Sequence, residues 1–319
     1  MHMSSVPGSL GTDAAQGATQ LVSGARRGLR GAARRALSGA AAVGRALGVN
    51  RLLGLVVRAM PRPFRIWFES RRTRLRVAAG MLLVPAERLE QRQVQLLEHL
   101  VAKVGRENVG DYLEFGVYAG TSMACMYRAL EKVGLDKVRL FGFDSFEGLP
   151  AQAANDDGGL WRPGDFCADV NFARECLRKQ GVDMKRVQLV KGWFSDTCTP
   201  QLLARHNITR AGVIMIDCDM YLSAKQALDF VGPLIGDHAV ILFDDWHSMD
   251  LARRNLGEKK AFEEFLAANP QFAATQVESY TDNATVFTIA RRAMMALLAP
   301  FAGLFELAGD AALLVASMA

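Results

Sequence analysis

The sequence predicts an α/β chain built on a doubly wound, mostly parallel, seven-stranded sheet that ends in an antiparallel hairpin. Three observations carry that expectation. Between residues 86 and 290, short apolar runs alternate with stretches of helical periodicity, which is the pattern of successive strand–helix units. The last two apolar runs are instead joined by the turn-like Thr281-Asp282-Asn283, so they should pair as a hairpin at the sheet edge. The chain has 319 residues and is 50% hydrophobic, enough for one core of the ~250–300 residues at which single domains stop growing, with extensions left over.

In order, the reading is a helix at 86–104, a strand at 111–116, a helix at 121–133 and a strand at 138–144. A polar, Gly-rich loop follows to about 169, with Trp161, Pro163 and Phe166 embedded in it. Next come a helix at 170–180, a strand at 187–191, a short helix near 200–205 and a strand at 212–217. A helix at 223–234, a strand at 239–243 and a helix at 259–268 precede the closing strands at 274–279 and 284–290. In a sheet of this kind, ligands bind beyond the carboxyl ends of the strands, so the chemistry is expected there.

The formal charge of +5 hides a division. Residues 1–82 hold fourteen arginines, no lysine and two acids, a net +12; the remainder is −7. A basic arm on a mildly acidic globule is not a uniformly basic nucleic-acid binder. Residues 1–36 are too poor in large apolar groups to offset the entropy of ordering, and are expected to be disordered. From 37 to 60 an Ala/Leu/Val helix pattern closes at Pro61 and Pro63, after which Arg65, Arg71, Arg72, Arg74 and Arg76 accompany Ile66, Trp67 and Phe68. Three readings of this arm stay open: a solvated extension, peripheral contact with an anionic membrane through residues 37–76, or an organelle transit peptide. Residues 293–319 carry an apolar helical stripe that could dock on the globule or on a second subunit of a homodimer. The expected domains are therefore 1–82, 83–292 and 293–319.

Five cysteines without a C-x-x-C pair argue against a disulfide framework or a zinc site and favour a reducing, cytoplasmic compartment. No run reaches the ~18 apolar residues that would span a bilayer.

The first strand ends in Glu114-Phe115-Gly116-Val117-Tyr118-Ala119-Gly120-Thr121-Ser122, directly before a helix. Glycines at 116 and 120 would let a ligand approach the backbone, and Glu114 suits a cationic group such as an ammonium or sulfonium. Tyr118 stands where a dinucleotide fingerprint needs its second glycine, which disfavours a nicotinamide cofactor. Asp144 closes the second strand, where a carboxylate accepts ribose hydroxyls. Asp217 and Asp219 follow the fourth strand, and Asp244 and Asp245 the fifth; four carboxylates at one sheet end repel one another unless a cation is bound. All-oxygen ligation suits Mg²⁺, with Mn²⁺ or Ca²⁺ as alternatives.

With these residues in view, the chain resembles class I S-adenosylmethionine-dependent methyltransferases, and more closely the macrocin O-methyltransferase (TylF-like) family, over roughly 85–292. The marks are Tyr112-Leu113-Glu114-Phe115-Gly116-Val117, Phe143-Asp144-Ser145-Phe146-Glu147-Gly148-Leu149-Pro150, Val190-Lys191-Gly192-Trp193-Phe194-Ser195-Asp196-Thr197, Ile216-Asp217-Cys218-Asp219-Met220-Tyr221 and the Asp244-Asp245 pair. The resemblance implies a Rossmann-like methyltransferase fold and Mg²⁺-dependent transfer of methyl from S-adenosylmethionine to a hydroxyl of a small molecule, a sugar of a natural product or glycoconjugate. It implies Asp217, Asp244 and Asp245 as metal ligands. Glu114, Gly116, Gly120 and Ser122 would line the methionine end of the cofactor, Asp144 the ribose, and Ser145, Phe146, Phe194 and Ser195 the adenine side, with Tyr118 and Thr121 also at the cofactor. Trp246 stands where the family often carries a tyrosine, and the loop 151–169 resembles the family's lid. For the base that takes the hydroxyl proton, Asp219 comes first and His247 second. Two other classes are weighed against this reading. A nucleic-acid methyltransferase would use the basic arm, but the chain has neither an Asn/Asp-Pro-Pro-aromatic run nor a Pro-Cys dipeptide. A non-catalytic membrane-tethered scaffold should have lost some of the acids at 217, 244 and 245, and all three are present.

Overall fold

The computed structural model describes residues 60–292, so the expectations for 1–59 and 293–319 lie outside the described residues. The chain divides into two compact units at Leu83/Val84. Within the first, one helix is described, α1 (Arg62–Ala78). Pro61 and Pro63 therefore open a helix as well as closing the pattern before it. A proline in the first turn lacks only an N–H that has no intrahelical acceptor there.

The second unit contains α2 (Ala86–Val104), β1 (Asp111–Phe115), α3 (Thr121–Val133), β2 (Leu140–Asp144), α4 (Val170–Lys179) and β3 (Val187–Lys191). It continues through α5 (Phe194–Thr197), α6 (Pro200–His206), β4 (Ala211–Ile216), α7 (Tyr221–Val231), β5 (Ile235–Phe243), α8 (Gly257–Ala268), β6 (Phe272–Val277) and β7 (Thr285–Arg291). The seven strands form one sheet in the order β3-β2-β1-β4-β5-β7-β6. β1 to β5 are parallel, while β7 runs antiparallel to both β5 and β6. Chain order reverses between β1 and β4, and Phe115 pairs with Ile216 at that switch point, so the loops after β1, β2, β4 and β5 open on one edge.

The strands are apolar at nearly every position because both faces of the sheet are covered. On one face Tyr112, Leu140, Val213, Met215 and Leu242 pack with Leu89 and Leu97 of α2 and Met123 and Met126 of α3. On the other, Leu113, Phe143, Ile214, Ile216 and Ile241 pack with Leu228 of α7 and Phe262 and Phe265 of α8. Alternate residues of one strand thus belong to different cores, which is the doubly wound arrangement.

Helix starts are set by local chemistry where the sequence supplies it. The Asp169 carboxylate accepts the Asn171 and Phe172 N–H groups at the head of α4, and Thr199 accepts from Leu202 N at the head of α6, where Pro200 follows. Neither α7 nor α8 has such a cap of its own. Their first amides are met from far away in sequence: the Asp157 carboxylate accepts from Tyr221 N at 2.9 Å and from Gly257 N at 2.8 Å, and Asp156 accepts from Leu222 N. The segment read as a polar lid is therefore fastened, with short 3-10 turns at Ala151–Ala154 and Asp156–Gly158. Its Trp161 is buried against Ala153, Met220 and Leu251 and donates from Nε1 to Asp157. No described helix is long and apolar enough to cross a membrane.

Candidate active site

Four strand ends meet at the switch-point edge. At the end of β1, Gly116 adopts φ +95°, and a Cβ there would lie 1.7 Å from the Asp217 carbonyl oxygen. The close passage of the β4 end thus demands glycine here, a constraint that stands beside the ligand approach expected of it. At Gly120 the crowding group is likewise internal, the Leu177 side chain of α4. Residues other than glycine in the left-handed region on these loops include Tyr118 after β1, Phe146 after β2 and Asp219 after β4. Such conformations are costly and persist where surrounding structure holds them, most often around functional sites.

The β1 and β2 carboxylates are saturated with donors. Glu114, with no exposed surface, accepts from Ser122 Oγ and from the Tyr112 hydroxyl, each at 2.6 Å. Burial pushes its carboxyl up to about 7, with Asp144 and Asp244 adding repulsion and the two hydroxyls opposing. Asp144 accepts from Val117 N and Tyr118 N on one oxygen and Phe146 N on the other, so it ties the β1 and β2 loops together. Ser145 holds its own turn through the Gly148 carbonyl, and Phe146 is buried in the core. Thr121 is half-buried at the first turn of α3. Phe194 packs edge-on against Phe115, and Ser195 is exposed, bonded to Asp196.

The β4 and β5 carboxylates are arranged differently. Asp217, Asp244 and Asp245 each present an oxygen within 4.8 Å of the others. Among the described residues no lysine or arginine pairs with them or with Asp219. Burial, followed by Asp244 and Asp245, raises Asp217 well above the carboxylate range. Burial and then Asp245 do the same to Asp219, and burial with Asp245 lifts Asp244 to about 6. Burial also raises Asp245, with the Ser248 hydroxyl and the hydrogen-bonding contact with Asp219 opposing, and that same contact raises Asp219 further. Buried acids crowded without a counter-ion, with oxygen donors alone, fit a hard divalent cation.

The second candidate base is placed elsewhere. His247 is exposed, its N–H bonded to the Asn283 carbonyl and its ring leaning on Thr285 Oγ1 at 3.4 Å. Trp246 turns away from the site into an aromatic cluster with Phe243, Phe262 and Phe287.

Two supports escaped the sequence reading. The Tyr280 hydroxyl donates to Asp244 Oδ1, bringing the β6–β7 loop onto the acid cluster. Glu258, fully buried at the head of α8, accepts from Asp245 N at 3.1 Å through Oε2, while its Oε1 has no partner among the described residues. A signal for Glu258 was available, since it lies three, four and seven residues before Ala261, Phe262 and Phe265 and thus on the buried stripe of α8. Tyr280 offered none. Beside Tyr280 a hollow of about 440 Å³ is lined by residues including Arg88, Arg92, Gln95, Ser279 and Asp282.

Residues 75–269 match the family model for macrocin O-methyltransferase (TylF). Over 158 residues the chain is 29% identical to the 8-demethyl-8-(2,3-dimethoxy-alpha-L-rhamnosyl)-tetracenomycin-C 4'-O-methyltransferase of Streptomyces olivaceus. That match covers 47% of this chain and spans 58% of the relative's length. Among solved structures, the O-methyltransferase NovP superposes with a TM-score of 0.52 at 20% identity, covering 64% of this chain and 79% of NovP.

Proposed function

The chain belongs to the macrocin O-methyltransferase family, and on that premise we propose that it is a Mg²⁺-dependent O-methyltransferase that moves methyl from S-adenosylmethionine to a sugar hydroxyl of a natural product or glycoconjugate. The observation that carries this reading is the convergence of Asp217, Asp244 and Asp245 beside the glycine turn after β1. S-adenosylmethionine supplies the electrophilic methyl when bound, and a divalent cation held by the three carboxylates lowers the cost of charge on the acceptor oxygen.

The remaining steps fall to side chains of this protein. Glu114, held rigid by Tyr112 and Ser122, would receive the cationic methionine end. Gly116, Tyr118, Gly120 and Thr121 would frame that end, Asp144 would stand at the ribose, and Ser145, Phe146, Phe194 and Ser195 would flank the adenine. Because Asp144 binds three amides, it also fixes the spacing of the loops on which these groups sit. Asp219 would take the hydroxyl proton: it lies within the acid cluster, and burial and Asp245 give it the proton affinity that a general base needs. His247 is the weaker candidate because it is exposed and leans on Thr285. The segment 151–169, with buried Trp161, would exclude water from the reaction.

A sugar acceptor is supported by two observations. The tetracenomycin relative is named for transfer to a rhamnosyl compound. The hollow beside Tyr280 balances Arg88 and Arg92 against Glu278 and Asp282, and Ser279 Oγ and Arg92 Nε are buried without partners among the described residues, which suits a neutral polyhydroxylated ligand. The test is consumption of S-adenosylmethionine by the purified protein against sugar and phenol acceptors, with and without chelator and with Asp244→Asn. Turnover on sugars that is lost in both the chelated and the mutant arms is expected; turnover indifferent to both overturns the metal reading.

A further inference from the structure

None of the candidate site residues lies on the arginine-rich helix α1, yet its surface is ordered by chemistry. At 100° per residue, Phe64, Trp67, Phe68, Arg71, Leu75 and Ala78 fall on one stripe. Of its four large apolar side chains Phe68 is half-buried and the other three are mostly in solvent: Phe64 is 64% exposed, Trp67 59% and Leu75 61%. The opposite side of the helix, with Ile66, Ser70, Thr73 and Val77, is buried or half-buried. Arginines border the exposed stripe, with Arg65, Arg72 and Arg76 along one edge and Arg74 along the other. Within it the Arg71 guanidinium rests 5.4 Å from the Trp67 ring centroid. The helix contains six arginines against the single acid Glu69, which lies 3.4 Å from Arg72.

We propose that the Phe64–Trp67–Leu75 stripe of α1 lies in the headgroup region of an anionic lipid bilayer, with the flanking arginines on the lipid phosphates. Charge and shape select this occupant. A second copy of the chain would bring one strongly cationic helix against another. A nucleic acid would satisfy the arginines but leave Phe64, Trp67 and Leu75 in water. An anionic membrane surface takes both groups at once, the aromatic rings at the interface and the cations above them. Seventeen residues rising 1.5 Å each are too short to span the hydrocarbon, and six charges forbid it, so the helix lies along the surface.

The test is co-sedimentation of the full chain with phosphatidylcholine vesicles, with and without about one quarter phosphatidylglycerol, at low and high salt. Binding to the anionic vesicles alone is expected, weakening as salt rises. The triple variant Phe64→Ala, Trp67→Ala, Leu75→Ala should bind at least about tenfold more weakly, and Arg71→Glu with Arg72→Glu should weaken binding about 25-fold or more, roughly fivefold being the share of each arginine. Trp67 emission should shift to the blue and be quenched by brominated acyl chains. The same shift should vanish in Trp67→Phe, although Trp161, Trp193 and Trp246 remain. Because Arg71 and Arg72 are exposed and lose only surface contacts with Trp67 and Glu69, the Arg-to-Glu variant carries the test if the alanine variant does not fold. Equal binding to neutral vesicles, no vesicle binding, unchanged binding by both variants, or displacement of the vesicles by RNA each overturns the proposal. Self-association of the free chain that the alanine variant abolishes does so as well.

Discussion

Two pairs of strand ends bury acids within one edge of the same sheet, and they do so in opposite ways. After β1 and β2, Glu114 and Asp144 have donors on both oxygens, hydroxyls for the first and backbone amides for the second. After β4 and β5, Asp217, Asp219, Asp244 and Asp245 chiefly face one another, with single donors from Tyr280 and Ser248. A buried carboxylate saturated by hydrogen bonds completes a structure, whereas a group of them short of donors stores a free energy that a cation can release. The acids of the β1–β2 half are finished as folded and would frame the proposed cofactor; those of the β4–β5 half are short of donors, as the proposed cation site requires.

The comparison breaks most sharply at the metal ligands. Asp217→Asn or Asp244→Asn should lower kcat at least about 10³-fold. Saturating Mg²⁺ should raise the melting temperature of the parent protein by several degrees, and that rise should disappear in these variants. Asp219→Asn should cost about 10²- to 10⁴-fold in kcat while leaving that Mg²⁺-dependent rise in Tm intact, whereas His247→Ala should stay within about threefold; pre-steady-state rates alongside the melts separate the two.

A third prediction concerns the finished half. The Glu114 carboxyl sits at about 7 in the folded chain against 4.5 in the unfolded one, so between these values the folded state holds more protons and stability is lost as pH rises. The penalty grows to about 3 kcal/mol and is constant above about pH 7. Asp244, at about 6, acts with the same sign from pH 3.8 upward. Melts of the chelated protein from pH 4.5 to 8 should show this decline, and Glu114→Gln should flatten it above pH 6; an unchanged slope in that variant would refute the assignment. The smallest effect is expected for Tyr280→Phe, which keeps the ring but frees Asp244. Mg²⁺ affinity by calorimetry should fall about 10- to 100-fold with the fold unchanged.

The legible parts of this molecule were those written in contiguous residues. Strands β1, β2, β4 and β5 are short apolar runs that stop at an acid, and a parallel sheet brings such stops to one edge; the acid cluster follows from pattern and topology alone. What pattern could not disclose is which partner a side chain finds across the chain. Tyr280 reaches Asp244 from a loop whose composition announces only a turn. Trp246, adjacent to the acids in sequence, sits in the turn after β5 and sends its ring into the Phe243–Phe262–Phe287 cluster. Gly116 was read for its freedom toward a ligand, and pattern gave no sign of the further constraint set by the carbonyl of Asp217 about a hundred residues further on.

The Asp157 carboxylate has a kinetic consequence. It closes hydrogen bonds with the first amides of both α7 and α8, helices that begin beside Asp219 and carry Glu258. Displacing the segment 151–169 from its seat therefore frees two helix starts in one event. The amide protons of Tyr221 and Gly257, remote in sequence, should accordingly exchange with solvent at a common rate, and Asp157→Asn should accelerate both together. One carboxylate far from any reacting atom would then set how often the acid cluster and its surrounding helices loosen as a unit.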